Sequence, residues 1–457
     1  MNRAQPFFAV ALALAAFVIV LRHVADPPMM MADFRAFACA GSIALHHADP
    51  YSSANLTACE GAPVPRPFFT TEQGAVLPAP VPGYLIAAFI PFAITPFAWS
   101  AIAWAMLLCL AIAVAIIFLE RLDLGSRWTL LVVLAVPLLA VSVPIGELSP
   151  IAMAGVAVLA WAVKERRGLT MSIGLTLTMV EPSVGLCAAL AVAVISRRYW
   201  LPVAATLLFL FVLSVATIGL HANFEYVRSV LPAHLYAELP SGQQFSLSWI
   251  FDRFGVSAAV ALMAGKLWYL LMLVLAAAVA RARASTAPEF AVFAACAFAV
   301  LLGPYMHLGQ IALALPAALW LCRHEKRPSI AVIAATVALS VPLLPVLGAI
   351  PLILVVAPVA GWVAASYSRR PDAGLRAAAI ATIAVGLVAY VVSKTEQQQV
   401  SVAAPAILNR AQYVRHYNVS AGWSIWLVKF PTWYATATVA GFAVASTFRK
   451  ERVRPSD

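Results

Sequence analysis

Residues 98–119, 128–144 and 200–220 contain no charged side chain. Runs of this length leave a chain few ways to fold. Where water is absent, every backbone N–H and C=O needs an internal partner, so only helices and closed barrels cross a bilayer. Barrel strands alternate polar and apolar residues, and these runs do not alternate. The 457 residues are 63% hydrophobic and 11% charged. The expectation is therefore an all-α polytopic membrane protein, not a string of soluble domains.

Candidate spans fall at 6–24, 98–119, 128–144, 149–163, 168–181, 183–195, 200–220, 262–281, 288–303, 309–322, 328–345, 347–366, 374–392 and 424–446. Several are shorter than the roughly 20 residues of a perpendicular helix, so some are tilted, broken or wrongly divided. The Pro-punctuated stretch 82–97 reads as a re-entrant piece or a further span. The first run has no small-residue cleavage site before Asp26-Pro27-Pro28, so it reads as an uncleaved span.

The net charge is +11. The cations sit between apolar runs, at Lys164–Arg167, Arg197-Arg198, Arg281–Arg283, Arg323–Arg327, Arg369-Arg370 and Arg449–Arg452. That is the positive-inside pattern, so the charge reads as topology and anionic-lipid contact, with no nucleic-acid partner. All of these loops come out cytoplasmic, as do both termini. Residues 25–81, 221–247 and 393–423 become extracytoplasmic loops of a single integral membrane domain, 1–457. The last of these loops reads as an amphipathic segment on headgroups or as an acceptor contact through Arg410, Tyr413, Arg415 and His416.

The first loop is the largest non-spanning piece. Residues 33–47 have helical spacing, with Phe34, Phe37, Gly41 and Leu45 near one face and Asp33 suited to the N-cap. A helix lying at the membrane surface fits this pattern. Cys39 and Cys59 share the loop; in an oxidising compartment they either pair or stay two separate thiols. Cys109, Cys187, Cys296 and Cys322 lie in or at the end of apolar segments and read as small hydrophobes.

Three polar groups converge on the outer side in this topology. They are Asp33, Arg35, His46, His47, Asp49 and Tyr51; then Glu147 with Glu181; then Tyr305, His307 and Gln310. Ionisable residues at the edge of an intramembrane bundle usually serve a function. Phosphate-binding glycine loops, HExxH and GxSxG are all missing, so nucleotide-driven chemistry and serine hydrolysis lack their usual parts. Each candidate also has a plain reading. Asp33 caps a helix; Arg35 anchors in headgroups; His307 is an interfacial histidine. His46 and His47 end a helix, where the dipole favours them, and Asp49-Pro50-Tyr51 forms a turn. Glu147 and Glu181 end helices. One helix cannot bring Asp33 to His46 and His47, so no metal site is expected.

The segment ADFRAFACAGSIALHHADPY (32–51), with the Pro/aromatic stretch and apolar helix after it, resembles the opening of bacterial glycosyltransferase family 87. These are polyprenyl-phosphate-sugar-dependent, mannosyltransferase-like enzymes of the GT-C superfamily. Asp33-Phe34 and Asp49-Pro50-Tyr51 match the family's opening motifs, Gly146-Glu147 resembles its Gly-Gln turn, and Gly303–His307 is similar to its late Pro/His turn. The family's lysine-proline is Glu181-Pro182 here. The resemblance implies a GT-C-like bundle of about 12–14 transmembrane helices whose first extracytoplasmic loop carries a juxtamembrane helix. It implies sugar transfer from a polyprenyl-phosphate donor to an envelope glycolipid or glycan, without a cofactor, at the outer face of a bacterial inner membrane. Asp33 would be the general base. Arg35, His307, Tyr305, Gln310, His46 and Tyr51 would bind donor phosphate or substrate, with Glu147 and Glu181 as a second acidic site. A transporter or flippase is the other reading, although no repeat is visible and Lys266 and Lys429 read as snorkelling cations. A third is a glycolipid binder without turnover.

Overall fold

The computed structural model describes residues 5–24, 30–64, 77–239, 241–325, 329–342, 349–368, 372–393, 397–403, 414–420 and 424–448. Asp26, the Pro-rich part of the first loop at 65–76, the basic residues at 326–327, 369–370 and 449–452, and Arg410 and Tyr413 lie outside these.

The apolar runs are helices, and their burial sorts them into centre and rim. Helix Pro288–Val300 is buried from Glu289 to Val300 on every side, as expected of a segment that is apolar all round. Helices Phe97–Arg121 and Ala258–Arg283 and the long stretch Arg197–Glu238 show most of their apolar surface to the outside. Trp99, Leu110, Leu201, Phe209, Leu267 and Val274 are among the exposed residues. Small residues let neighbouring helices touch. A Cβ on Gly155 would strike the backbone of Leu177 and Thr178, and one on Gly174 the backbone of Leu159. Helices Ser149–Lys164 and Gly168–Thr178 therefore meet backbone to backbone, the usual packing device where lipid supplies no hydrophobic drive.

Prolines place the breaks. Pro182 opens helix Pro182–Ile195, so the run 168–195 is two helices, as its sequence reads. Pro137, which has no N–H to give, lies in a π-helical segment, Ala135–Ser142, within the span Arg127–Ile145. Stretch 82–97 yields only helix Gly83–Ala93 before a turn. At 1.5 Å per residue that is about 16 Å, too short to span.

Two expected loops are structured. Residues 221–247 are largely helical, because the helix from Trp200 continues past a break at Gly219 (φ 77°) through a π segment to Glu238. Asn223 Nδ2 donates to the carbonyls of Gly219 and Ser214 and ties off the break. Within 393–423, Gln397–Ala403 and Val414–Ser420 pair as antiparallel strands.

The bundle has two unlike ends. At one, Arg121 and Arg167 cover the Trp161 ring, Tyr199 donates to the Val163 carbonyl, and Arg323 meets Asp123. At the other lie the first loop and the turns at 146–148, 179–181 and 301–307. Helix Ala32–Leu45 is where the spacing puts it, but its N-cap is Met31 in the left-handed region (φ 58°) and Asp33 sits in the first turn. Gly41 lets this helix cross Gly83–Ala93, since a Cβ there would come within 2.8 Å of the Phe89 backbone. A second helix follows, Ser53–Glu60, and a Cys39–Cys59 disulfide joins the two. A closed loop with a sequence separation of 20 stabilises by about 3 kcal/mol through the unfolded chain. Replacing both cysteines by alanine is expected to lower the denaturation midpoint in detergent by that much, with unchanged helical circular dichroism before the transition.

Candidate functional site

Backbone contacts bring Asp33 to its neighbours. The Met31 N–H donates to the Pro144 carbonyl at 2.7 Å, so the start of the first-loop helix is fastened to the end of the span before Glu147. Gly146 turns there with φ 83°, and a Cβ would meet Phe34 at 2.7 Å. The Trp104 indole N–H holds the Gly146 carbonyl at 3.0 Å, and Phe34 stacks on the same indole at 5.6 Å. Aromatic packing on one residue of the turn therefore sets Asp33 beside the next.

Glu147 accepts hydrogen bonds from Ser142 Oγ (2.9 Å) and Ser149 Oγ (3.2 Å). Its carboxylate fills the place a side chain at position 309 would take, which is why the chain has glycine there. Glu181 is buried and accepts from Gln310 Nε2 at 2.7 Å. Burial, with the charge of Asp33 next, lifts Glu147 to about 7. Burial, with Glu147 next, lifts Glu181 to about 8. At neutral pH the three carboxyl groups therefore carry fewer than three charges.

Gln310 joins this acidic group to a second one. Its Oε1 accepts from the His307 N–H at 3.0 Å. The His307 ring lies 4.7 Å from that of Tyr305, which lies 4.8 Å from that of His234. His307 Nε2 is 2.7 Å from Gln244 Nε2 and 3.8 Å from Glu238 Oε2. Burial, with the charge of Lys429 next, pushes His307 down to about 4.

Asp33, Glu147, Glu181, Gln310, His307 and Tyr305 thus form one assembly at one end of the bundle. The other residues singled out from the sequence stand apart from it. Arg35 is only 4% exposed. Its Nη2 donates to the carbonyls of Cys59, Glu60 and Ala62 at 2.8–3.2 Å, and its guanidinium lies over Phe97. It closes the end of helix Ser53–Glu60 instead of standing ready for a phosphate or a headgroup. Tyr51 is buried and donates to the Val81 carbonyl at 2.8 Å. His46 and His47 are exposed at the far end of the helix, about 20 Å along it from Asp33. Among the described residues no group of three His, Cys, Asp or Glu is placed to hold a metal ion. Sequence reasoning missed Ser142, Ser149, Glu238 and Gln244, and took Lys429 for a snorkelling cation. Lys429 is in fact 1% exposed.

Among the described residues four helical stretches are long and apolar enough to cross a bilayer, and the chain is a helical membrane protein. No protein-family model, no curated protein and no solved structure matches it.

Proposed function

We propose that this chain is a glycosyltransferase with a GT-C-like bundle of about 12–14 transmembrane helices. It moves a mannose-like sugar from a polyprenyl-phosphate donor to an envelope glycolipid or glycan. In this reading it lies in a bacterial inner membrane with both termini cytoplasmic and the Asp33 end outside. The observation that carries the reading is the meeting of Asp33, Glu147, Glu181 and Gln310 in turns and first turns at one end of the bundle. Groups at that depth meet a membrane-bound donor and a water-facing acceptor together. Transport would favour ionisable groups near the bilayer middle. The disulfide supports the same sidedness, since such bonds persist in oxidising compartments.

Asp33 takes the proton of an acceptor hydroxyl, and the oxygen attacks the anomeric carbon. The bond from that carbon to the phosphate oxygen breaks, and polyprenyl phosphate leaves with the electron pair. A single in-line displacement inverts the centre. In their protonated forms Glu147 and Glu181 donate hydrogen bonds to sugar or phosphate oxygens, and their lost charge lets an anion approach.

The test supplies membranes containing the full chain with radiolabelled polyprenyl-phosphate sugars. Label moving into a glycolipid or glycan is expected. No transfer from any donor, by protein shown to be folded, would overturn the reading in favour of transport or glycolipid binding.

A further inference from the structure

The last helix, Ser424–Phe448, brings a lysine to the back of the His307 turn. Lys429 Nζ donates to the Gln244 carbonyl. It also lies 3.9 Å from the ring centre of Trp249 and 4.5 Å from that of Phe245. An ammonium over two aromatic faces and on a carbonyl is well held without a carboxylate. Four residues further along this helix, Trp433 donates from its indole N–H to the Phe245 carbonyl at 3.1 Å. The segment 244–247 is therefore pinned to the last helix on one side. On the other it pairs with the turn that carries His307: Phe245 N–H donates to the Met306 carbonyl, and Leu247 N–H to the Leu302 carbonyl.

The Gln244 side chain completes the link, and its orientation follows from its partners. The Met306 N–H needs an acceptor and finds Gln244 Oε1 at 3.2 Å. The other end of the same amide must then be its NH₂, and it lies 2.7 Å from His307 Nε2. An NH₂ group only donates, so Nε2 accepts and the ring is an unprotonated imidazole at that nitrogen. An imidazolium would set two donors against each other there.

We propose that Lys429 is a positioning residue: by holding the Gln244 carbonyl it fixes the Gln244 amide, and through that amide it keeps His307 neutral with Nε2 as an acceptor. The groups facing His307 are Glu238, Tyr305, Gln244 and Gln310, with His234 behind Tyr305 and Lys429 behind Gln244. Glu238 alone would favour the imidazolium; the amide and the lysine oppose it. The consequence for catalysis rests on the transferase reading. A neutral His307 can orient a substrate hydroxyl or phosphate through a hydrogen bond but does not serve as a cation for the donor.

The test needs no sugar transfer. The purified full chain in detergent is treated with diethyl pyrocarbonate, which acylates only unprotonated imidazole, over a range of pH. The His307 peptide is read by mass spectrometry. The wild type is expected to titrate near 4. Lys429→Met is expected to raise that midpoint by a unit or more, about tenfold in the ratio of protonated to neutral ring, and Lys429→Arg to restore the wild-type curve. Gln244→Met removes the amide, leaves the lysine in place, and is expected to give the same rise. It carries the test by itself should Lys429→Met fail to fold. Wild-type midpoints in folded Lys429→Met or Gln244→Met would overturn the proposal, as would a wild-type midpoint near the ordinary value of about 6.5. None of these outcomes depends on whether the protein transfers sugar.

Discussion

Asp33→Asn is expected to lower sugar transfer by about 10²- to 10⁴-fold, the range a positioned general base contributes. The substitution keeps the shape of the side chain and removes its ability to take a proton. It leaves in place the contacts that hold this turn, because Met31, Phe34, Gly146 and Trp104 make them. Folded protein should therefore accumulate normally, and the loss should appear in the rate at saturating donor. Asp33 also adds negative charge near Glu147 and Glu181, so its removal eases their ionisation. The residual activity of Asp33→Asn should accordingly peak at a lower pH than that of the wild type. Radiolabel transfer measured against pH in membranes of matched protein content checks both points. Equal rates for the two proteins would remove Asp33 from the mechanism.

Arg35→Met is expected to destabilise the first loop by about 3 kcal/mol or more, from the loss of charged hydrogen bonds in a buried place. Its Nη2 serves three carbonyls at the end of Ser53–Glu60. Nearby, Glu60 is 0% exposed and accepts from the Leu77 N–H at 3.0 Å. Burial raises Glu60 to about 8 against the pull of Arg35 and the Leu77 hydrogen bond. Taking away the guanidinium removes one of the influences that favour its charged form, so the Glu60 carboxyl shifts further up. The disulfide still ties the two helices at Cys39 and Cys59, so the loop should loosen locally before the whole chain unfolds. Limited proteolysis between residues 46 and 82, on intact right-side-out vesicles, should show faster cutting in Arg35→Met than in the wild type. A phosphate-binding role for Arg35 predicts the opposite pattern, with normal protease resistance and a raised KM for the donor.

Much of the frame was legible in the chain. Runs without charge dictate helices because lipid offers the backbone no other partner. Proline marked the break at 182, and cations between runs divided the turns into two sets. One set, at 147, 181 and 305–310, does converge with Asp33 in the fold. Other features were not legible. The run 221–247 looked like a loop because its polar residues hide a helix that continues past Gly219. Arg35 looked like an anion ligand because its type and address suit one. Its actual partners are three carbonyls at the end of another helix about 25 residues away.

That this chain is helical and bound to a membrane, and which turns share an end, can be read from its residues in order. Those properties depend on hydropathy and charge counted along one dimension. Which polar residues touch is set by packing in three dimensions. Gly309 leaves room for Glu147, Gln310 spans from His307 to Glu181, and Lys429 reaches Gln244 from the last helix. Residues more than a hundred positions apart meet only where helix packing turns their side chains toward the same small volume. No local pattern in the sequence records that direction.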